Sequence, residues 1–156
     1  PAQHWWSHRY DVSYYQQLIM SHRHVILDTF EVSATWANLM PLYQAIKRVG
    51  EDFKGEGMLM ILAHFSHFYH TGGNIYFTLC GKSPSEMSTA DFYDVVWDRL
   101  LLACESQGAA ISHHHGIGRL KARAHRRQRG PFFHVYKQLK HGLDSKNILN
   151  PENLGL

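Results

Sequence analysis

The chain has 156 residues and an apolar share of 44%, enough for one domain with an ordinary hydrophobic core. Sixteen Lys and Arg against 13 Asp and Glu leave a formal charge of +3, which excludes a generally polycationic protein; six of the 16 cluster between Arg119 and Arg129. Cys80 and Cys104 form no Cys-x-x-Cys pair, which excludes a disulfide framework and a thiolate metal site and favours a reducing cytoplasm; no apolar run reaches the length of a membrane span, and no secretory signal pattern opens the chain.

Trp5, Trp6, Tyr10, Tyr14 and Tyr15 crowd the opening with rings that normally bury large areas, so this segment is expected to pack on the domain or on another part of the protein. Val12 to Ser21 reads as a short helix, and Val25 to Val32 alternates as a strand. Trp36, Leu39, Met40, Tyr43, Ile46 and Val49 recur at helical spacing, with Gly50 or Gly55 as the stop. Met58 to Tyr69 reads as a largely buried strand. His70 to Asn74 carries turn chemistry, and Ile75 to Cys80 is the return strand of a hairpin. Ser88 with Asp91 predicts a helix cap, followed by an amphipathic helix through Phe92, Val95, Val96, Leu100 and Ala103 to Gly108. A brief strand over Ala109 to Ser112 leads into a loop. A basic helix from about Leu120, another from about Pro131 to Leu143 and an Asn-Ile-Leu-Asn-Pro turn complete the chain. This order predicts an α+β domain: a ferredoxin-like antiparallel sheet with helices packed on one face.

The run His113-His114-His115-Gly116-Ile117-Gly118 carries the most chemistry. Clustered imidazoles, in a chain with 13 histidines, are candidates for proton transfer or metal binding, and the alternating glycines allow close backbone approach to a ligand. If the triplet is extended, His113 and His115 face one way and His114 the other. A solvated, inert His-rich turn is the alternative. On the strand expected over Met58 to Tyr69, His64 and His70 share a face while His67 opposes them, and core or edge histidines are the simpler account. Asp28 and Glu31 fall on opposite faces of their strand, which argues against a shared acid-base role. Arg119, Lys121, Arg123, Arg126, Arg127 and Arg129 offer charge to a phosphate, or form a solvated helix. No aromatic residues interleave with that run, as a nucleic-acid platform would require.

Four segments in order carry a family resemblance: Leu27 to Glu31 with Trp36; Ala63 to Tyr69 running to Gly73-Asn74-Ile75-Tyr76-Phe77; Ser112 to Gly118; and Asn147 to Pro151 with Asn153-Leu154. Together they resemble the C-terminal part of FAD-linked oxidases of the vanillyl-alcohol-oxidase type, and the His-His-His-Gly-Ile-Gly form resembles the alkyldihydroxyacetonephosphate synthase branch. The resemblance implies one C-terminal substrate or cap domain over residues 1–156, within a longer FAD-dependent oxidoreductase or transferase. FAD would be bound mainly by an N-terminal FAD-binding domain that these residues do not supply, and the chain alone would be inactive. It also implies Tyr76, His113, His114 and His115 as catalytic residues facing the flavin, with Gly116, Gly118, Asn150 and Asn153 near the cofactor. The partners implied are a small-molecule substrate and the FAD-binding domain, with no nucleic acid; a homodimer is left open.

The 2-hydroxy-acid oxidase or dehydrogenase branch is the alternative. Its metal site has no counterpart here, because the positions of its two histidines, its Asp and its Glu are taken by Tyr69, Tyr76, Gly72 and His114. No metal ligand is therefore assigned on that pattern. A self-sufficient His-rich metal module and a nucleic-acid module are the readings from other classes.

Overall fold

Apolar residues at every second position, two strands' worth on either side of a turn, and two amphipathic helices of matching width leave few ways to bury everything at once. The solution appears in this computed structural model, which describes residues 2–10, 24–54 and 57–156. Three strands, β1 (Val25–Thr35), β2 (Met58–Ser66) and β3 (Gly72–Lys82), form an antiparallel sheet in the order β1-β3-β2. Ahead of them stands α1 (Ala2–His8), and α2 (Trp36–Asp52) links β1 to β2. After the sheet come α3 (Thr89–Ser106), α4 (Ala122–Arg129) and α5 (Phe133–Leu143), with single 3-10 turns at Gly130–Phe132 and Asn153–Gly155. The helix expected over Val12 to Ser21 lies outside the described residues.

One face of the sheet packs on α2 and α3. Ile26, Phe30 and Val32 of β1, Leu59 and Ile61 of β2, and Ile75, Phe77 and Leu79 of β3 meet Leu42 and Ile46 of α2 and Phe92, Val96 and Leu100 of α3 in one buried cluster. Phe30 stacks on Phe77 at 6.1 Å and takes the edge of Trp97 at 5.2 Å. The cap of α3 forms as its spacing requires: the Asp91 amide donates to the Ser88 hydroxyl at 3.1 Å.

Three expectations change. Of the two glycines offered as the stop of α2, Gly55 lies outside the described residues and Gly50 lies inside the last turn, where a Cβ would stand 3.1 Å from the Leu59 carbonyl oxygen and 3.3 Å from Ile61, so it is a close-packing glycine. The strand over Met58 to Tyr69 ends at Ser66 and is buried on one face only. Met58, Met60 and Leu62 are 57%, 48% and 53% exposed on the other, because the helices pack on the opposite face and none of the described residues covers this end of the open one. The brief strand at Ala109 to Ser112 is a single antiparallel bridge, Ser33 to Ala110, beside β1. That is where a fourth ferredoxin-like strand would lie, and the bend that follows at the histidines prevents it from extending. The aromatic opening keeps both of its expected partners open: α1 buries none of its side chains, and Trp5 and Trp6 stand exposed, while Tyr14 and Tyr15 lie outside the described residues.

Candidate functional site

The register sets five cross-strand rows on the open face of the sheet, opposite the helices. In one of them Glu31 of β1 stands beside Tyr76 of β3, which stands beside His64 of β2. The next row toward the sheet's end is Ser33, Asn74 and Ser66. The bridge at Ala110 brings the segment after it across these rows, and the histidine triplet caps Glu31.

Glu31 is fully buried. Its Oε1 accepts the backbone N–H of His113 at 2.5 Å and of His114 at 2.9 Å, and its Oε2 pairs with His114 Nδ1. A buried carboxylate is tolerated only when its oxygens are occupied in this way. His115 Nε2 lies 3.9 Å from Oε2, and the His115 ring meets the Tyr76 ring edge to face at 5.5 Å. His113 Nε2 is 2.8 Å from Tyr69 Oη, and its Nδ1 is 3.2 Å from His114 Nδ1. His67, held in a left-handed conformation just after β2, packs its ring 5.2 Å from His113 and 5.6 Å from His114.

The triplet is therefore not extended, and its members do not alternate: His114 and His115 both turn toward Glu31 while His113 turns toward Tyr69. His67 and His70 fall beyond β2, so the face relations expected of a longer strand do not arise; His67 joins the cluster and His64 stays on the open face. Asp28 and Glu31 do occupy opposite faces. Asp28 turns to the helix side, where Tyr93 Oη donates to it at 2.7 Å and Trp97 Nε1 at 3.2 Å.

The glycine loop is joined to the end of the chain. Gly116 and Gly118 both have positive φ, and no atom lies within 4 Å of where a Gly116 Cβ would stand, so conformation rather than crowding calls for glycine there. The Leu154 N–H donates to the Gly118 carbonyl at 3.0 Å, which places Asn153 beside that glycine. Asn150 is in a left-handed turn whose carbonyl accepts from the Asn153 N–H. Asp144 anchors this closing segment, taking Lys140 Nζ and the amides of Ile148 and Leu149; the ammonium beside it holds its carboxyl at about 2.

Lys121 is 5% exposed, with its ammonium 5.9 Å from the Phe30 ring and 5.8 Å from that of Trp97. Burial lowers its pKa, against the pull of Glu31, Cys104 and Asp28. It lines a groove of about 280 Å³ with Asp28, Thr29, His115, Gly116 and Gly118. Two others of the basic run meet acids, Arg119 with Glu152 and Arg127 with Glu105 at 3.0 Å, while Arg126 lies over the Phe133 ring and Arg129 donates to His125.

The sequence reading missed Glu31, Tyr69 and His67 as parts of the site. For Glu31 a signal existed: between two core residues, Phe30 and Val32, an acid is forced onto the opposite face, where it needs donors. For metal, the donor atoms of Glu31, His113 and His114 lie within 4.8 Å of one another. This set differs from the ligand pattern of the 2-hydroxy-acid branch. Two buried polar atoms on the same side, Asn74 Oδ1 and Ser112 Oγ, have no partner in the described structure.

Comparison with known proteins gives a consistent result. The family described as FAD linked oxidases, C-terminal domain, matches residues 1–154. The alkyldihydroxyacetonephosphate synthase of Dictyostelium discoideum is 30% identical over 99% of this chain and 25% of its own length, and that of Trypanosoma brucei brucei 27% identical over 99% and 25%. An uncharacterized FAD-linked oxidoreductase of Escherichia coli strain K12 is 28% identical over 78% of this chain. A solved structure of alkyldihydroxyacetonephosphate synthase superposes with a TM-score of 0.62 at 25% identity, covering 96% of this chain and 24% of that one. The chain spans about a quarter of the length of the curated relatives it matches.

Proposed function

The chain belongs to the family of FAD linked oxidases, C-terminal domain, and from that premise we propose that it is the substrate-side domain of a longer FAD-dependent enzyme resembling alkyldihydroxyacetonephosphate synthase. In this reading the open face of the sheet turns toward the flavin and a small-molecule substrate, and a separate N-terminal domain holds most of the FAD. The observation that carries it is the placement of Tyr76 and the histidine triplet together on the uncovered face, around a fully buried Glu31. The exposed stripe of Met58, Met60 and Leu62 on the same face supports it, as apolar surface of the kind a second domain covers.

The residues present fit a flavin approaching from that side. Gly116 and Gly118 leave backbone unshielded, Asn153 stands beside Gly118, and Asn74 Oδ1 and Ser112 Oγ are buried polar atoms without partners among the described residues. When bound, FAD supplies the redox chemistry at carbon that no side chain here offers. The chain's own groups hold and move protons. Tyr76 Oη and the imidazoles of His114 and His115 exchange a proton with substrate oxygen or carbon, while Glu31 holds the loop that carries them. We place the protein in the cytoplasm, on its two free cysteines, of which Cys104 is buried; no helix among the described residues is long and apolar enough to cross a membrane.

The test is the visible absorption spectrum of the purified chain before and after addition of FAD and desalting. A colourless product is expected. Stoichiometric flavin retained by this chain alone would overturn the division of labour between two domains. A second reading, a metal module, has one observation in its favour, the Glu31, His113 and His114 donor set. Stoichiometric zinc in the protein as purified, lost in Glu31→Gln, would support it.

A further inference from the structure

Proton counting around Glu31 constrains the triplet more tightly than the distances alone. A neutral imidazole has one N–H and one lone pair. His114 Nδ1 faces Glu31 Oε2, and a carboxylate that already takes two backbone N–H groups has only acceptor sites to offer. The hydrogen of His114 therefore sits on Nδ1. Two N–H groups do not face each other at 3.2 Å, so His113 Nδ1 presents its lone pair to His114 and carries its own hydrogen on Nε2. There it donates to Tyr69 Oη at 2.8 Å. Tyr69 is itself fixed: its N–H donates to the Gly72 carbonyl, and its carbonyl accepts from Trp36 Nε1.

We propose that Glu31 is a positioning residue that sets opposite tautomers in two adjacent histidines, Nδ1–H in His114 and Nε2–H in His113. The consequence is directional. His114 Nε2 carries a lone pair and has no hydrogen-bond partner among the described residues, on a side chain that is 52% exposed. It is the nitrogen offered to a substrate proton, as in any base whose far nitrogen is held by a carboxylate. His113 is turned into a donor anchored on Tyr69 and is not available for that task. That His114 serves catalysis rests on the reading of the open face given above. The tautomers rest on this chain's geometry alone, so a flavin result against that reading leaves them standing.

The test is long-range proton–nitrogen correlation spectroscopy of the imidazoles in the nitrogen-15-labelled, EDTA-treated chain at about pH 8.5, above the ordinary imidazole range. Signals are assigned from their loss in His113→Gln and His114→Gln. Expected are a protonated Nδ1 and bare Nε2 for His114, and the reverse for His113. In Glu31→Gln the amide oxygen still accepts the backbone N–H groups while its NH₂ donates to His114, so His114 switches to Nε2–H. Finding His114 as Nε2–H in the unmodified chain, or as Nδ1–H in a folded Glu31→Gln, overturns the proposal. Should Glu31→Gln not fold, the two assignments in the unmodified chain decide it alone.

Discussion

The two faces of the sheet are built from the same three strands, yet they hold their acids, a half-buried Asp28 and a buried Glu31, by different means. On the helix side, Asp28 takes the amide of its own neighbour Thr29 and, across the core, hydrogen bonds from Tyr93 and Trp97, side chains carried by α3. On the open side, Glu31 takes its bonds from the backbone and one ring of an exposed loop. Asp28 ties a helix to a strand and its partners go nowhere else. Glu31 orders groups that still reach solvent. A buried carboxylate thus reads as structural or functional less from its own environment than from whether its donors have a second, outward-facing nitrogen or oxygen.

This contrast can be broken by substitution, and the largest effect belongs to the helix side. Phe77→Ala, in the centre of the core, should lower unfolding free energy by about 3–5 kcal/mol in denaturant titrations; a loss comparable to that of an exposed residue would mean that the helices do not pack there. Glu31→Ala should cost about 2 kcal/mol, since two amides lose their acceptor. It should also raise hydrogen exchange at His113 and His114 far more than in the core strands. Uniform change across the sheet would put Glu31 in the same class as Asp28.

Asp28→Asn should cost about 1 kcal/mol and leave the histidine loop unchanged. It also bears on pH. Burial, and then the Asp28 hydrogen bond and charge, push the Tyr93 phenol well above its ordinary range. Because the folded pKa is raised, this group's stabilisation is complete below the usual tyrosine range and is lost as pH rises above it. In Asp28→Asn, ultraviolet titration should find Tyr93 ionising at lower pH. The smallest effect is expected from Met60→Ser or Leu62→Ser, within about 0.5 kcal/mol for this chain alone. A large loss of stability there would show that the open face is covered within the chain itself.

Much of the helix side was legible in the sequence. The period of α2 and α3, the cap at Ser88 and the alternation of β1 each report which side of an element is apolar, and the core uses those sides. The open side was less so. Met58 to Leu62 are apolar on both faces, and periodicity cannot tell surface buried within a chain from surface left for another partner. The triplet has no period at all, and its arrangement depends on an acid 82 residues earlier in the chain. The resemblance to a family pointed to Tyr76 and the histidines without revealing what orders them.

The strand order has a kinetic consequence. β3 is central and is made last of the three, so neither edge strand begins to pair until Gly72 to Asn74 exist, and neither completes its ladder until Lys82 does. β2 and β3 can close as a local hairpin, but β1 must wait with Val25 for its partner at Lys82. Loop closure over that span is slow compared with a hairpin. On a ribosome, then, β1 emerges ahead of its partner β3 with its apolar face unpaired, and the helix that follows it is the first cover it can find.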